Sequence, residues 1–184
     1  MSIKGLEQAI ANLNSISKKA VPRASAQTVN RIATQAVNRS VSAVAKSTRV
    51  PRKLVRQRAR IRRATVAKPR ALIRINRGNL PAIKLGPSSM RLSRRKRDKS
   101  GTNSELRVGR FRFPGAFIQQ LANGRWHVLR RTTKSRYPIE VVSIPLTIPL
   151  TEIFRAEVPK LMDERMPQIM RQNLSNQLRL ILKR

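Results

Sequence analysis

The chain has 184 residues, 40% of them hydrophobic, and carries 41 Lys and Arg against 8 Asp and Glu, a formal net charge of +33. A small domain ordinarily carries a charge of magnitude about 2 to 8, so this excess calls for a polyanion or an assembly as partner, while the apolar content excludes a wholly disordered chain. The absence of cysteine removes disulfides and thiolate metal sites and fits a reducing compartment. No apolar run approaches the roughly 18 residues of a membrane span, and MSIKGLEQAIANL lacks a signal-peptide core, so no membrane partner is expected and assembly in cytoplasm is.

In chain order, Ile3, Leu6, Ile10, Leu13 and Ile16 recur at three or four residues and predict an amphipathic helix. After Pro22 the series Val29, Ile32, Ala33, Ala36, Val37, Val41 and Val44 predicts a second, whose Ala and Val face lets a partner backbone approach closely. Pro51 suits the first turn of a third, shorter helix over VPRKLVRQRARIRRA, on which Arg52, Arg56, Arg60 and Arg63, spaced four, four and three, form one stripe. RALIRINRGNLPAIKLG alternates Ala71, Ile73, Ile75 and then Ile83, Leu85 about a Gly-Asn turn, the pattern of a strand pair. SRRKRDK, residues 93–99, concentrates Arg94, Arg95, Lys96, Arg97 and Lys99 around one Asp.

ELRVGRFRF alternates again, with Gly109 read as a bulge that shifts register. Asn123-Gly124 joins AFIQQLA to RWHVLRR as a hairpin, and IEVVSI reads as a further strand. From Leu150 the helical period returns, with Pro159 and Pro167 expected to break or kink it. The order helices, mostly antiparallel sheet, helices is α+β. One domain over 1–184 is expected, made of a helical start (1–48), a basic middle with an extended or loop segment (49–112), and an apolar sheet with C-terminal helices (113–184).

No acidic residue occurs from Gln8 to Arg97, and from Arg49 to Arg112 there are 22 Lys and Arg against Asp98 and Glu105. All six aromatics, Phe111, Phe113, Phe117, Trp126, Tyr137 and Phe154, follow Arg110. The basic region therefore offers phosphate contacts without rings for base stacking, which position a nucleic acid but read no sequence. Arg52, Arg56, Arg60 and Arg63, with Arg94, Arg95, Lys96, Arg97 and Lys99, are the candidate contacts, set against a solvated face or an acidic protein partner. Phe117, Trp126, Tyr137 and Ile139, in the richest apolar stretch, are candidates for core or subunit interface.

Catalysis lacks parts. Metal-dependent phosphoryl transfer needs clustered carboxylates, and Asp163 and Glu164 are adjacent on a helical pattern and diverge. His127 is the sole histidine and falls in a strand pattern, and neither a G-x-x-x-x-G-K loop nor a G-x-G-x-x-G fingerprint is present. No enzyme, metal or cofactor is expected.

IKGLEQAIANL at the start, RKLVRQRARIRRATV from Arg52, INRGNLPAIKLG from Ile75, PGAFIQQLANGRWHV from Pro114, RYPIEVVSIP from Arg136 and the terminal QLRLILKR resemble the minor tail protein Z family of lambda-like tailed bacteriophages, nearly along the full chain. The resemblance implies a virion structural protein without catalytic residues, completing the head-proximal end of a long non-contractile tail near the head–tail junction, placing the genome end and joining head to tail. It further implies other tail and neck proteins as neighbours (tail terminator, tail tube or the tape-measure end), double-stranded DNA, and a homo-oligomeric ring. The alternative is an independent nucleic-acid binder of ribosomal or DNA-compacting type. The low-charge, apolar segments PGAFIQQLANGRWHV and RYPIEVVSIPLTIPL suit a subunit contact better than an RNA-wrapped surface.

Overall fold

The computed structural model describes residues 3–92, 104–133 and 137–182. Its helices are α1 (Ile3–Ser15), α2 (Val21–Thr48), α3 (Arg52–Arg56) and α4 (Thr147–Leu182). The sequence predicts separate helices on either side of Pro22. Instead α1 passes through a π-helical turn, Ile16–Ala20, straight into α2, with Ser15 and Ala20 both in right-handed helical geometry. Pro22 has no N–H, and its ring crowds the carbonyl four residues back. A wider turn, closed by the Val21 N–H on the Ile16 carbonyl, relieves that clash without ending the helix.

α2 and α4 lie antiparallel. Thr28 of α2 meets Met170 and Asn173 of α4. Ile32 and Ala36 share a buried cluster with Leu161 and Ile169, and Val37, Val41 and Val44 share the main core with Leu150 and Phe154. The small side chains of α2 do what their size allows, admitting Leu, Ile and Phe from α4 into close packing. Each such large side chain, once buried, stabilises by about 1.5 to 3 kcal/mol. Thr28, fully buried, leaves no polar orphan: its Oγ1 donates to the Ala24 carbonyl at 2.8 Å and accepts from Asn173 Nδ2 at 2.9 Å.

Of the break or kink expected at Pro159 and Pro167, the break does not occur, since α4 is continuous through both. An interior proline costs about 3 kcal/mol. Buried Phe154 before Pro159, Leu161 between the prolines and Ile169 after Pro167 offset that cost by holding each stretch against its neighbours.

Among the described residues, short strands form four small antiparallel sheets in place of one central sheet. β1 (Ala59–Arg62) pairs with β2 (Leu72–Ile75), and β3 (Leu80–Pro81) with β10 (Ser143–Ile144). β4 (Ser88–Leu92), β5 (Ser104–Val108) and β6 (Phe111–Pro114) form a third sheet, and β7 (Ala116–Gln120), β8 (Trp126–Arg131) and β9 (Ile139–Val141) a fourth. The class is α+β, as the order of patterns predicts.

Two local expectations are corrected. The segments on either side of Gly78-Asn79 do not pair with each other: β2 turns back on β1, β3 pairs with β10, and Ala82–Leu85 is a 3-10 turn. Pro81 lacks the donor a longer ladder needs, and the turn buries Ala82 and Leu85 together, three residues apart. Gly109 is a hairpin turn rather than a bulge, because Val108 pairs with Phe111 and leaves Gly109 and Arg110 as the two-residue loop. With φ at 57° it occupies the first central position, which asks for glycine. A Cβ there would also sit 2.7 Å from the Leu85 carbonyl oxygen.

The Asn123-Gly124 hairpin forms as expected, with Gln120 opposite Trp126 and Gly124 at φ 72°. IEVVSI is extended but changes partner midway. Val142 donates to the Val128 carbonyl at 2.8 Å and accepts from the Ala82 N–H at 2.9 Å, handing the chain from β9 to β10.

One side chain ties the helical layer to the basic middle. Asn30 of α2 donates from Nδ2 to the Ala64 carbonyl at 2.9 Å, and its Oδ1 accepts from the Ala64 N–H at 2.7 Å. Its amide thus acts as a strand partner for one residue. Ala64 is buried, so Asn30→Ala strands a donor and an acceptor away from water. The expected loss is about 1 to 3 kcal/mol, measured as a lower denaturant midpoint at unchanged slope.

Candidate nucleic-acid interface

α3 is held by its apolar side, with Val55 buried and Leu54 half-buried, and it stops at Arg56. The predicted continuation to Arg63 is replaced by a turn into β1, so the four-arginine helical stripe does not exist. Arg52 and Arg56 remain on α3, Arg60 lies on β1, and Arg63 follows it. The reason is legible in ARIRR: Ala59 and Ile61 alternate with Arg60 and Arg62 at period two, and the apolar period, which decides burial, prevails over the arginine spacing. Arg56 is partly engaged in the turn itself, donating from Nη1 to the Ala59 carbonyl at 2.7 Å.

Arg58, which the spacing argument passes over, organises the next loop. Its guanidinium donates to the carbonyls of Gly78 and Asn79, while its own carbonyl accepts from the Asn76 N–H at 2.8 Å. Burial lowers its pKa from the ordinary value by desolvation, but an arginine so far above neutrality stays charged. The same loop is fixed from the other side by Thr147 Oγ1, which donates to the Arg77 carbonyl at 2.8 Å.

Between these anchors β1 and β2 form a two-stranded ribbon with unlike faces. Ala59 opposes Ile75 and Ile61 opposes Ile73. Ala59 belongs to the core, and the three isoleucines pack against it. On the other face Arg60 stands directly opposite Arg74, and Arg62 opposite Leu72, all exposed. Arg63, Lys68 and Arg70 extend this charge at one end and Arg77 at the other, also exposed. Like charges directly opposed across strands destabilise a ribbon, and the chain supplies no acid between Gln8 and Arg97 to relieve them. The face is therefore a rigidly mounted set of guanidiniums with no ring near it in sequence. Such a surface holds phosphates and distinguishes no bases.

Arg94, Arg95, Lys96, Arg97 and Lys99 lie outside the described residues, in the connection between β4 and β5. Among the described residues no group of His, Asp and Glu side chains converges to hold a metal ion, and no helix is long and apolar enough to cross a membrane.

The four apolar candidates gather around the sheet β7–β8–β9. Its inner face carries Ala116, Ile118 and Val128 toward the core. By strand alternation its outer face carries Phe117, Leu129, Ile139 and Val141, with Phe117 opposite Leu129 and Leu129 opposite Val141. Phe117 and Ile139 are half-buried, and the Arg131 guanidinium lies 5.0 Å from the Phe117 ring centroid. Leu129 and Val141 complete this face and are signalled in the sequence only by the period-two pattern of WHVLRR and IEVV. His127 sits on β8 half-buried, its Nδ1 without a hydrogen-bond partner among the described residues.

Trp126 closes the end of the β7–β8 ladder and is 55% exposed, and Tyr137 is 67% exposed. Neither contributes to the core of the chain. For the isolated protein, Trp126→Ala is then expected to change stability by less than about 0.5 kcal/mol, against about 3 to 5 for a buried large aromatic. Thermal melting measures this, and free acrylamide quenching of the sole tryptophan checks its exposure.

Residues 3–184 match the family model of prophage minor tail protein Z (GPZ). The chain is 74% identical over 184 residues to a tail completion protein of Escherichia phage N15, covering all of both chains. It is 52% identical over 192 aligned residues to tail completion protein Z of Escherichia phage lambda, again covering both entirely. No solved structure matches the fold. The match over almost every residue, basic ribbon and apolar sheet included, places this chain in the prophage minor tail protein Z family.

Proposed function

We propose that this chain is a structural, non-enzymatic component of a phage tail, completing its head-proximal end at the head–tail junction, where it helps position the genome end and join head to tail. Relatives named as tail completion proteins support the setting. The observation that carries the DNA contact is the ribbon face on which Arg60 opposes Arg74 beside Arg62, with no carboxylate on either strand. Its repulsion is relieved when phosphates sit across it.

The outer face of β7–β8–β9, where Phe117, Ile139 and Val141 remain open around buried Leu129, is the apolar surface for contact between subunits in a homo-oligomeric ring. Exposed Trp126, at the end of the β7–β8 ladder, and exposed Tyr137, just before β9, are separate contact points for neighbouring tail proteins such as the tail terminator, the tail tube or the tape-measure end. A ring brings many copies of the ribbon to one DNA, which suits individually weak, screened contacts. Electron microscopy of intact particles tests the location and the symmetry together.

The binding test is direct. Purified protein is expected to bind double-stranded DNA of any sequence with steep salt dependence. Changing Arg60, Arg62 and Arg74 together to Gln is expected to lower the log–log salt slope by about 2.7, at about 0.9 per neutralised phosphate. An unchanged slope in a folded variant overturns the ribbon's role. Changing Arg52 and Arg56 instead measures what α3 contributes, and Arg94, Arg95, Lys96, Arg97 and Lys99 form a third set for the connection between β4 and β5.

A further inference from the structure

Arg49, Arg110, Phe111 and Arg112 line an open groove of about 630 Å³ where the end of α2 meets the β5–β6 hairpin. That volume lies within the range of small-ligand sites. Arg49 follows the last residue of α2 in left-handed geometry, φ 58° and ψ 13°, a position that helices usually give to glycine. A cation at a helix C-terminus complements the dipole, which accounts for Arg49 alone. Arg110 and Arg112 come from a different element, and all three side chains are exposed. Glu105 reaches Arg112 at 3.8 Å but does not line the groove, so positive charge there remains in excess.

The hairpin that carries two of these arginines is firmly placed, since Gly109 at its tip is packed against the Leu85 carbonyl and Gly86. Phe111 is half-buried, leans on the core and lies near-parallel to Phe113, their centroids 6.4 Å apart. It also lines the groove. The site therefore offers something the β1–β2 ribbon lacks: a ring that lines the same groove as three exposed arginines. The ligand chemistry that uses both is an anion joined to a flat ring. In a duplex the base faces are covered by their neighbours, so the ring selects a nucleotide whose base is unpaired.

We infer that this groove binds an unpaired nucleotide of single-stranded DNA, its phosphates on Arg49, Arg110 and Arg112 and its base on Phe111. The inference rests on the DNA reading above for the class of polyanion, and on a separate surface for everything else.

The test uses the full chain and fluorescence anisotropy at fixed salt, with four labelled probes of equal length: a single-stranded DNA, its abasic counterpart, an RNA of the same sequence, and a blunt duplex. The base-bearing DNA strand is expected to bind about 10-fold tighter than the abasic one, and Phe111→Leu to erase that ratio. Arg110→Gln lies in an exposed turn away from the core. It is expected to retain the ratio while lowering the single-strand salt slope by about 0.7. Equal binding of base-bearing and abasic strands by the unaltered protein overturns the proposal, as does an undiminished ratio in Phe111→Leu, an unchanged slope in Arg110→Gln, or a clear preference for RNA over DNA. Failure of the ribbon reading looks different: duplex binding would then be insensitive to the Arg60, Arg62 and Arg74 changes while the base-to-abasic ratio persists.

Discussion

The antiparallel contact between α2 and α4 is the constraint on which the remainder depends, because each helix also carries one anchor of the charged ribbon. Asn30 on α2 holds the backbone of Ala64 just after β1. Thr147, at the start of α4, holds the carbonyl of Arg77 just after β2. The register of one helix against the other thus sets the two ends of the ribbon, and with them the direction in which Arg60, Arg62 and Arg74 face. A shift of α4 along α2 would have to break the part-buried Thr28–Asn173 hydrogen bond and unseat Leu161 and Ile169 together. Packing of that kind is discrete rather than gradual.

Charge works against this arrangement. With +33 on the chain, compaction brings like charges together. The ion pairs Arg39–Glu164 at 3.9 Å and Arg112–Glu105 at 3.8 Å are long, with Arg39, Glu164 and Arg112 well exposed, and exposed pairs stabilise by about 0 to 1 kcal/mol. Apolar burial must hold the fold. It is distributed accordingly: the core draws on α2, α3, β5, β8 and α4 at once, and apart from half-buried Arg58 the arginines whose burial is described are exposed. The same separation leaves the cations unneutralised and available, so the feature that weakens the isolated chain is the one that attracts a polyanion.

What the sequence discloses follows from the range of the interaction concerned. The long helices were readable because Ile32, Ala36, Val37, Val41 and Val44 repeat a single burial face over many residues, and the Asn123-Gly124 hairpin because its turn chemistry is local. The class α+β follows from the same signals. Pro22, Pro159 and Pro167 do not end their helices, because the sequence displays a proline's penalty but not what offsets it: a π-helical turn before Pro22, and packing of α4 against its neighbours for the other two. RKLVRQRARIRRA misleads for a related reason: the four arginines at helical spacing, Arg52, Arg56, Arg60 and Arg63, outnumber the two apolar residues, Ala59 and Ile61, whose alternation decides the conformation by burial. The partner of β2 was hidden because a short strand between two turns can pair in either direction, and only the Arg58 and Asn76 hydrogen bonds choose. The chemical character of the candidate site was visible in composition, whereas the opposition of Arg60 and Arg74 depends on a register no composition contains.

A protein that must hold a polymer and later let it move needs contacts with little dependence on sequence and small barriers between adjacent registers. Guanidinium on phosphate meets both conditions, since the backbone repeats identically at every step and the attraction is screened. The exposed face of the ribbon has that character at Arg60, Arg62 and Arg74. A ring changes the character of a contact, because stacking requires a base to be free and holds it at one place. In this chain every aromatic residue comes after Arg110, and Phe111 lines a groove together with three arginines. The phosphate-type surface and the ring-bearing groove lie on different elements, β1–β2 and the β5–β6 hairpin, so the two kinds of contact proposed for them need not compromise one another.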